Sequence, residues 1–189
     1  MDIQHSKLKV TQTSIEGLLV IETKCFGDER GWFTESFNAH DFSFATGIGL
    51  QFVQDNHSLS KKLTLRGLHY QLDKPQGKLV RVVSGSVFDV VVDLRKKSAT
   101  YGQWEGLELS AQNQKQLWIP PGFAHGFLVL SESAQFLYKT TDYYHPQSEV
   151  CLAWDDPLVA IQWPLSSGVT PNLNAKDSAG LSWEQIPKF

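Results

Sequence analysis

The chain has 189 residues, 41% of them hydrophobic and 20% charged, and its formal net charge at pH 7 is −3. This size and composition are typical of one globular domain covering residues 1–189. The small net charge excludes a global electrostatic attraction for nucleic acids or membranes, so neither is expected as a partner. The stretch from Met1 to Lys7 lacks the apolar core of a signal peptide, and no apolar run is long enough to span a membrane. We therefore expect a cytoplasmic protein.

The chain has two cysteines, Cys25 and Cys151. They do not form a Cys-x-x-Cys motif, and each lies in an apolar, strand-like segment. Free cysteines in such surroundings are usually buried and behave as small hydrophobic side chains. We therefore predict that both are buried, reduced thiols.

The first elements are strands joined by a turn. The segment Gly17–Thr23 predicts a buried strand. A glycine-bounded turn follows at Gly27–Gly31, and Trp32–Phe37 then alternates like a strand with one aromatic face. Arg30 in the turn and Glu35 in the strand, taken by themselves, indicate ordinary surface charges.

Residues 40–46 form the only convincing helical segment, and glycines follow it. Residues 51–57 return to alternation, with Gln54 and Asn56 on one face. This pattern fits a strand that lines a wet cavity, and it fits an edge strand with one solvated face equally well. Residues 58–63 are polar and predict a loop.

A buried strand is predicted at Leu65–Gln71, and it contains Arg66 and His69. Histidine gains or loses a proton near neutral pH at little cost, and a strand holds it more firmly than a loop would. Arg66 adds an anion-binding group shortly before the histidine. This combination predicts proton chemistry on an anionic small molecule.

Two strands, Lys78–Ser84 and Val87–Leu94, flank a turn at Gly85 and Ser86 and predict a hairpin. One face of the second strand is apolar and the other is mixed. Lys78 continues the apolar face of the first strand, so its ammonium must find a partner or extend to open solvent. Extension to solvent at a strand end is the commoner outcome.

Two later segments contain further candidate residues. A proline-glycine corner at residues 120–122 leads into a strand with His125, a pattern seen more often around a structural histidine. Ala134–Tyr144 is the last long strand, and alternation puts Tyr138 and Tyr144 on one face, roughly 20 Å apart at strand rise. The tyrosines fit the two ends of an elongated ligand, and they also fit the aromatic filling of a core.

Many short strands, closely spaced turns and almost no helix predict an all-β sandwich or barrel. Neither GxGxxG nor GxxxxGK[ST] occurs, so the sequence contains no phosphate-binding glycine loop. The tail beyond Pro157 is rich in Pro, Ser, Asn and Gly. A lone charged cluster such as residues 175–178 of that tail is usually solvated.

Polar residues that interrupt the apolar strands could share one barrel lumen. They are Glu35, Gln54, Asn56, Arg66, His69, Lys78, His125, Tyr138 and Tyr144. Jelly-roll barrels often hold a metal through a His-x-His…Glu…His set. Here Gln71 stands where the second histidine would be, and no suitably spaced acid follows, so we predict no metal site.

Seven longer motifs occur in a fixed order, including Leu65-Arg66-Gly67-Leu68-His69. They occupy residues 26–31, 52–57, 65–69, 76–81, 117–127, 138–144 and 175–177. Through them, nearly the whole chain resembles the dTDP-4-dehydrorhamnose 3,5-epimerase family of the cupin superfamily. The resemblance implies a cupin jelly-roll barrel with little helix, a C-terminal tail folded back over it, and a homodimer.

The resemblance implies an isomerase that converts dTDP-4-dehydro-6-deoxy-D-glucose to dTDP-4-dehydro-L-rhamnose in dTDP-L-rhamnose biosynthesis, without a cofactor. The C4 ketone makes the hydrogens on C3 and C5 weakly acidic, so a base can form an enolate and a proton can return on the opposite face. His69 matches the family's base, and Asp177 matches the acid that orients it. Tyr138 matches the proton donor, and Lys78 matches the cation that holds the O4 oxyanion.

The remaining matches are substrate-binding residues. Arg66 and His125 match residues that face the diphosphate, which suits guanidinium geometry. Tyr144 matches an aromatic that stacks on thymine. The other matches to nucleotide or sugar contacts, besides Lys78, are Arg30, Glu35, Gln54, Asn56, Glu149 and Lys176. In the implied dimer, residues like Arg30 reach across the interface.

Two alternatives stay open. A related enzyme could invert a single carbon, C3 or C5, or act on another dTDP-4-keto-deoxysugar. A cupin could also bind a nucleotide sugar without turnover. His69 together with Tyr138 argues against that second alternative, because binding alone needs no acid and base on opposed faces.

Overall fold

A computed structural model describes residues 7–189, which form mostly short strands. The strands are β1 (Leu8–Gln12), β2 (Leu19–Thr23), β3 (Cys25–Asp28), β4 (Gly31–Thr34), β5 (Gln54–Lys61), β6 (Leu65–Gln71), β7 (Lys78–Ser84), β8 (Ser86–Asp93), β9 (Trp104–Ser110), β10 (Gln116–Ile119), β11 (Phe123–Val129), β12 (Ser133–Thr140) and β13 (Glu149–Cys151). The helices are α1 (Ala39–Thr46) and α2 (Ala175–Ser178), with a 3-10 turn at Pro146–Ser148. Residues 1–6 lie outside the described range, and they include most of the N-terminal segment that lacks the apolar core of a signal peptide.

The strands form two antiparallel sheets and a separate hairpin. The six-stranded sheet has the order β1-β2-β10-β7-β12-β5, and the five-stranded sheet has the order β13-β6-β11-β8-β9. β3 and β4 pair as a two-stranded hairpin. The prediction of an all-β jelly roll with little helix is confirmed. Within residues 7–189, neither helix is long and apolar enough to cross a membrane.

Three apolar clusters hold these layers together. The central cluster lies between the sheets and includes Val80 and Phe136 from one sheet and Phe127 from the other. A second cluster joins the five-stranded sheet to the C-terminal tail through Ile186. The third packs Phe42 of α1 against the six-stranded sheet. Each fully buried side chain of this size contributes about 1.5–3 kcal/mol, so both outer faces add to the stability of the barrel.

The predicted helix at residues 40–46 is confirmed as α1. Asn38 caps its first turn by accepting hydrogen bonds from the backbone of His40 at 3.0 Å and of Asp41 at 3.2 Å. Gly47 ends it in the left-handed conformation, with φ of 73°.

The predicted hairpin around Gly85 is wrong. β7 pairs with β10 and β12, whereas β8 pairs with β9 and β11 in the other sheet. Gly85, with φ of +75°, carries the chain from one sheet to the other. A Cβ at this position would lie 2.0 Å from the carbonyl oxygen of Ser133, so only glycine fits. Both faces of β8 are buried, because one packs into the apolar core between the sheets and the other against the C-terminal tail. The buried residues include Asp89 and Asp93.

Three local predictions also fail. Residues 58–61 belong to β5 and are not a loop, because this polar edge strand pairs along its whole length with β12. Tyr144 lies beyond the end of β12, so strand alternation does not place it. Cys25 is exposed, since β3 is exposed along its whole length. Cys151 is only half-buried.

Candidate active site

A cavity of about 270 Å³ lies between the two sheets, and we call it the inter-sheet cavity. Its walls come from β5, β7 and β12 of one sheet, β6 and β11 of the other, and the C-terminal tail. Seven predicted site residues line it: Asn56, Arg66, His69, Lys78, His125, Tyr138 and Asp177. The fold therefore brings together residues that are more than 100 positions apart in the chain.

A β-bulge lets Arg66 and His69 share this cavity. His69 is the register partner of His125, and Arg66 is the partner of Phe127, so β6 has one residue more than β11 in this interval. In a regular strand, side chains three positions apart lie on opposite faces. The extra residue changes that alternation, and both side chains line the cavity.

Gly67 makes the bulge possible. Its φ is +124°, a value that other residues rarely adopt. A Cβ on Gly67 would lie 2.6 Å from the Cα of Gly126, so the backbones of β6 and β11 approach too closely here for any side chain. The glycine in the Arg66–His69 segment is therefore a steric requirement.

The ring of His69 is held by a carboxylate from the tail. Its Nε2 lies 2.6 Å from Oδ1 of Asp177, which is 2% exposed. Asn174 caps α2 by accepting a hydrogen bond from the backbone of Asp177, and the backbone of Gly67 donates to the same carboxylate oxygen at 3.3 Å. In the neutral ring, Nε2–H donates to Asp177 and Nδ1 is left as the proton acceptor. The tail thus fixes the tautomer that a general base needs.

Tyr138 enters the cavity from the opposite sheet. It lies on β12 between Asn56 of β5 and Val80 of β7. Burial raises the pKa of its phenol, and the negative charge of Glu149 raises it further. The positive charge of Arg66 lowers this pKa in part. The phenol therefore stays protonated at neutral pH and is available as a proton donor.

Lys78 lies at the start of β7, opposite Thr140 of β12. Burial lowers the pKa of its ammonium to about 8, while the negative charges of Glu149 and Asp89 oppose that shift. Among residues 7–189, no side chain forms a hydrogen bond or close ion pair with its Nζ, so the charge is available to a ligand.

His125 is held by a residue that sequence reasoning missed. Its Nε2 lies 3.0 Å from both carboxylate oxygens of Asp89, which is completely buried. Burial raises the pKa of Asp89, and the neighbouring His125 and Lys78 lower it in part. The signal was the presence of an aspartate in the apolar strand β8, since a buried carboxylate requires a partner.

Four other predicted binding residues form a hydrogen-bonded chain with Asn56 beside the cavity. Gln54 donates to Asn56 at 3.0 Å and accepts from the backbone of Tyr144 at 3.1 Å. The hydroxyl of Tyr144 donates to Glu149 at 2.6 Å, and Lys176 forms a close ion pair with the same carboxylate. The hydrogen bond to Glu149 is the main reason that the pKa of Tyr144 is raised to about 12.

Arg30 and Glu35 do not line the inter-sheet cavity of their own chain. Arg30 lies at the tip of the exposed β3–β4 hairpin, in an ion pair with Asp28. Glu35 contacts Lys7 at 3.4 Å and Asn38 at 3.2 Å, near the start of α1. Neither residue therefore contributes to the site within a single chain.

Gln71 occupies the position of the second histidine in the metal-binding pattern of jelly-roll barrels. Its side chain forms hydrogen bonds with backbone groups. Its amide donates to the carbonyls of Lys74 at 2.9 Å and Tyr143 at 3.3 Å, and its oxygen accepts from the backbone of His145 at 3.0 Å. The side chain thus ties together two loops next to β6.

The chain is similar to known proteins over nearly its whole length. The sequence profile of the family described as dTDP-4-dehydrorhamnose 3,5-epimerase matches residues 12–185. The enzyme of that name from Pseudomonas aeruginosa is 54% identical over 182 residues, which cover 96% of this chain and 99% of the relative. Its counterpart in Salmonella typhimurium is 56% identical, over 90% of this chain and 92% of the relative.

A solved structure agrees with these matches. The dTDP-6-deoxy-D-glucose-3,5-epimerase of Legionella pneumophila, in complex with dTDP-4-keto-L-rhamnose, superposes with a TM-score of 0.92 and 52% sequence identity. The match covers 95% of each chain. The identity far exceeds what a shared fold alone requires, so this chain belongs to the dTDP-4-dehydrorhamnose 3,5-epimerase family.

Proposed function

We propose that the inter-sheet cavity epimerises dTDP-4-dehydro-6-deoxy-D-glucose at C3 and C5, giving dTDP-4-dehydro-L-rhamnose. The observation that carries the proposal is the position of His69 and Tyr138 on facing sheets, in one cavity that also contains Lys78. A base on one wall and an acid on the other are what inversion at carbon requires. The product bound to the Legionella relative supports this substrate class.

His69 acts as the base. Its Nδ1 takes a proton from the carbon next to the C4 ketone, and the resulting imidazolium is stabilised by the charge of Asp177, 2.6 Å from Nε2. The electron pair of the C–H bond moves into an enolate, whose negative charge falls on O4. Lys78 stabilises this oxyanion, a contribution that is often the largest in such reactions.

Tyr138 completes the inversion by donating its proton to the same carbon from the opposite wall. This step leaves an imidazolium and a phenolate, so His69 must lose a proton to solvent and Tyr138 must regain one before the second carbon reacts. The carbons return to their starting oxidation states, and the reaction therefore needs no redox cofactor.

The nucleotide is held by the surrounding residues. Arg66 and His125 line the cavity close to the proposed base and are suited to the diphosphate. Tyr144 is 54% exposed and offers its ring to the thymine. The network from Gln54 to Lys176 keeps that ring in place through Glu149.

We further propose that the enzyme is a cytoplasmic homodimer. The β3–β4 hairpin exposes Phe26 (52%), Trp32 (62%) and Phe33 (68%), an aromatic surface of the kind that marks an interface. A second copy is the proposed cover, with Arg30 reaching the cavity of the partner. A reducing compartment also suits the two unpaired cysteines.

The reaction in heavy water tests the function. We expect NMR of the product to show solvent deuterium at both C3 and C5. The variant His69→Ala should lose exchange at both carbons and still bind dTDP, whereas His40→Ala, an exposed histidine on α1, should behave like the wild type. Deuterium at C3 alone would instead identify a single-carbon epimerase, and dTDP binding without product would identify a non-catalytic binder.

A further inference from the structure

Cys151 lies beside the proposed base and has no part in the proposed reaction. β13 pairs with β6 so that Cys151 is the register partner of His69. Directly opposite residues of an antiparallel pair share one face of the sheet. Asp177 reaches the same place from α2. One ligand atom of each, a ring nitrogen, a sulfur and a carboxylate oxygen, lies within 4.8 Å of the others.

The three groups match the ligands that Zn²⁺ prefers. Zinc binds imidazole, thiolate and carboxylate at about 2.0–2.3 Å, so neighbouring ligand atoms around it are roughly 3–4 Å apart. Small side-chain shifts would bring the three atoms into that range. A thiolate and a carboxylate together neutralise a divalent ion, which favours it in a partly buried site.

We propose that His69, Cys151 and Asp177 form a binding site for a borderline-soft divalent cation such as Zn²⁺, and that occupancy stops catalysis. Binding releases the thiol proton of Cys151 to solvent, and the ion takes the place of the hydrogen between His69 and Asp177. A neutral imidazole that gives its Nε2 lone pair to a metal carries its hydrogen on Nδ1. His69 can then accept no proton from a substrate.

The inhibitory part of this inference rests on the proposed role of His69 as base, whereas the binding part does not. A direct measurement of binding therefore separates the two. Co²⁺ is a suitable probe, because a thiolate ligand gives it a near-ultraviolet charge-transfer band. The chain also supplies a matched control, since Cys25 is the other free thiol and is exposed on the hairpin.

The experiment titrates CoCl₂ into the purified full-length protein and records its absorption. The wild type and Cys25→Ser should develop the thiolate band, while Cys151→Ser should lack it. Asp177→Asn should bind Co²⁺ at least about tenfold more weakly, since even outer-shell changes cost that much. A thiolate band that survives in Cys151→Ser, or is lost in Cys25→Ser, would overturn the site.

A second arm measures the turnover rate against ZnCl₂, each variant relative to its own metal-free rate. We expect inhibition of the wild type and of Cys25→Ser that EDTA reverses, and at least about tenfold weaker inhibition of Cys151→Ser. Equal inhibition of the two cysteine variants would refute the inhibitory role. A wild type that gives the cobalt band but never makes product would refute the proposed function and leave the site standing.

Discussion

His69 and His125 are register partners across β6 and β11, and each ring is hydrogen-bonded to a buried aspartate from another segment. Asp177 lies 2.6 Å from His69, and Asp89 lies 3.0 Å from His125. The contacts are alike, but one imidazole is the proposed base and the other a proposed diphosphate ligand. Removing each carboxylate charge should therefore produce a different kinetic defect.

Asp177→Asn should lower kcat by about 10²–10⁴-fold, because the amide no longer fixes the tautomer of His69 or stabilises its charged form. Asp89→Asn should mainly raise KM for the nucleotide sugar, by about tenfold or more, since it disturbs a charge-assisted contact that orients His125. Steady-state kinetics of the two variants checks both expectations. Equal losses in kcat would contradict the division of roles between the two histidines.

Tyr138→Phe should separate proton removal from inversion. The base on β6 is intact in this variant, so solvent deuterium should still enter the starting sugar. The epimerised product should fall by about 10²–10⁴-fold, because no acid remains on the opposite wall. NMR of both substrate and product in heavy water gives the two rates.

Tyr144→Phe is the matched control for that experiment. It removes the same hydroxyl from a neighbouring aromatic and breaks the hydrogen bond to Glu149. We expect a higher KM with kcat within about threefold of the wild type. A loss of exchange in Tyr138→Phe as severe as in His69→Ala would show that the phenol is needed for deprotonation too.

The pH dependence of kcat/KM should reflect the protonation state of Lys78. Its pKa is lowered to about 8, chiefly by burial, so the ammonium is charged below that pH and loses its proton above it. Since the charged form is the one that stabilises the oxyanion, kcat/KM should fall as the pH rises through about 8. In Lys78→Arg the cation persists, so the variant should be slower but lack this decline. A decline at the same pH in both proteins would assign it to another group.

The bulge should make Gly67 intolerant of any side chain. Gly67→Ala puts a Cβ 2.6 Å from the backbone of Gly126 at a φ of +124°, and should lower the free energy of unfolding by roughly 1–3 kcal/mol. Gly49→Ala is the control, because nothing lies within 4 Å of its Cβ position and its φ is not positive. Urea unfolding measures both, and equal stabilities would contradict the steric role of Gly67.

The exposed hairpin should control the oligomeric state. Trp32→Glu puts a charge on the proposed interface and should convert a dimer to a monomer in sedimentation velocity. Leu158→Glu, at a similarly exposed position of the tail, should leave the dimer intact. A wild type that sediments as a monomer would refute the dimer proposal.

Local patterns predicted the strands well and their pairing poorly. The alternation in Lys78–Ser84 and Val87–Leu94 identified both strands to within one residue, but a short turn is compatible with a hairpin and with a crossover between sheets. The pairing of each strand with distant strands distinguishes them, since β7 pairs with β10 and β12 and β8 pairs with β9 and β11. The steric fit of Gly85 against Ser133 is likewise a contact between distant parts of the chain. For the same reason, local patterns did not predict that Asp89 belongs to the site, since its partner His125 lies 36 residues away.

Individual site residues could be identified from the sequence because each is a polar residue in an otherwise apolar strand. Arg66, His69 and Lys78 stand out within strands, whereas Asp177 lies in a short charged cluster that looks solvated. Its burial depends on α2 packing against β6. The resemblance to a family supplied that residue, and no pattern in the tail could have done so.

The extra residue in β6 has a consequence for substrate choice. Arg66 and His69 are built into one strand of a packed sheet, so the span between the proposed diphosphate ligand and the proposed base is set by the backbone. In some sugar nucleotides the acidic carbon lies nearer to or farther from the diphosphate. No loop movement could then bring that carbon into line with His69. The sheet would therefore select ketosugar nucleotides by the distance between the diphosphate and the acidic carbon, independently of side-chain contacts with the sugar hydroxyls.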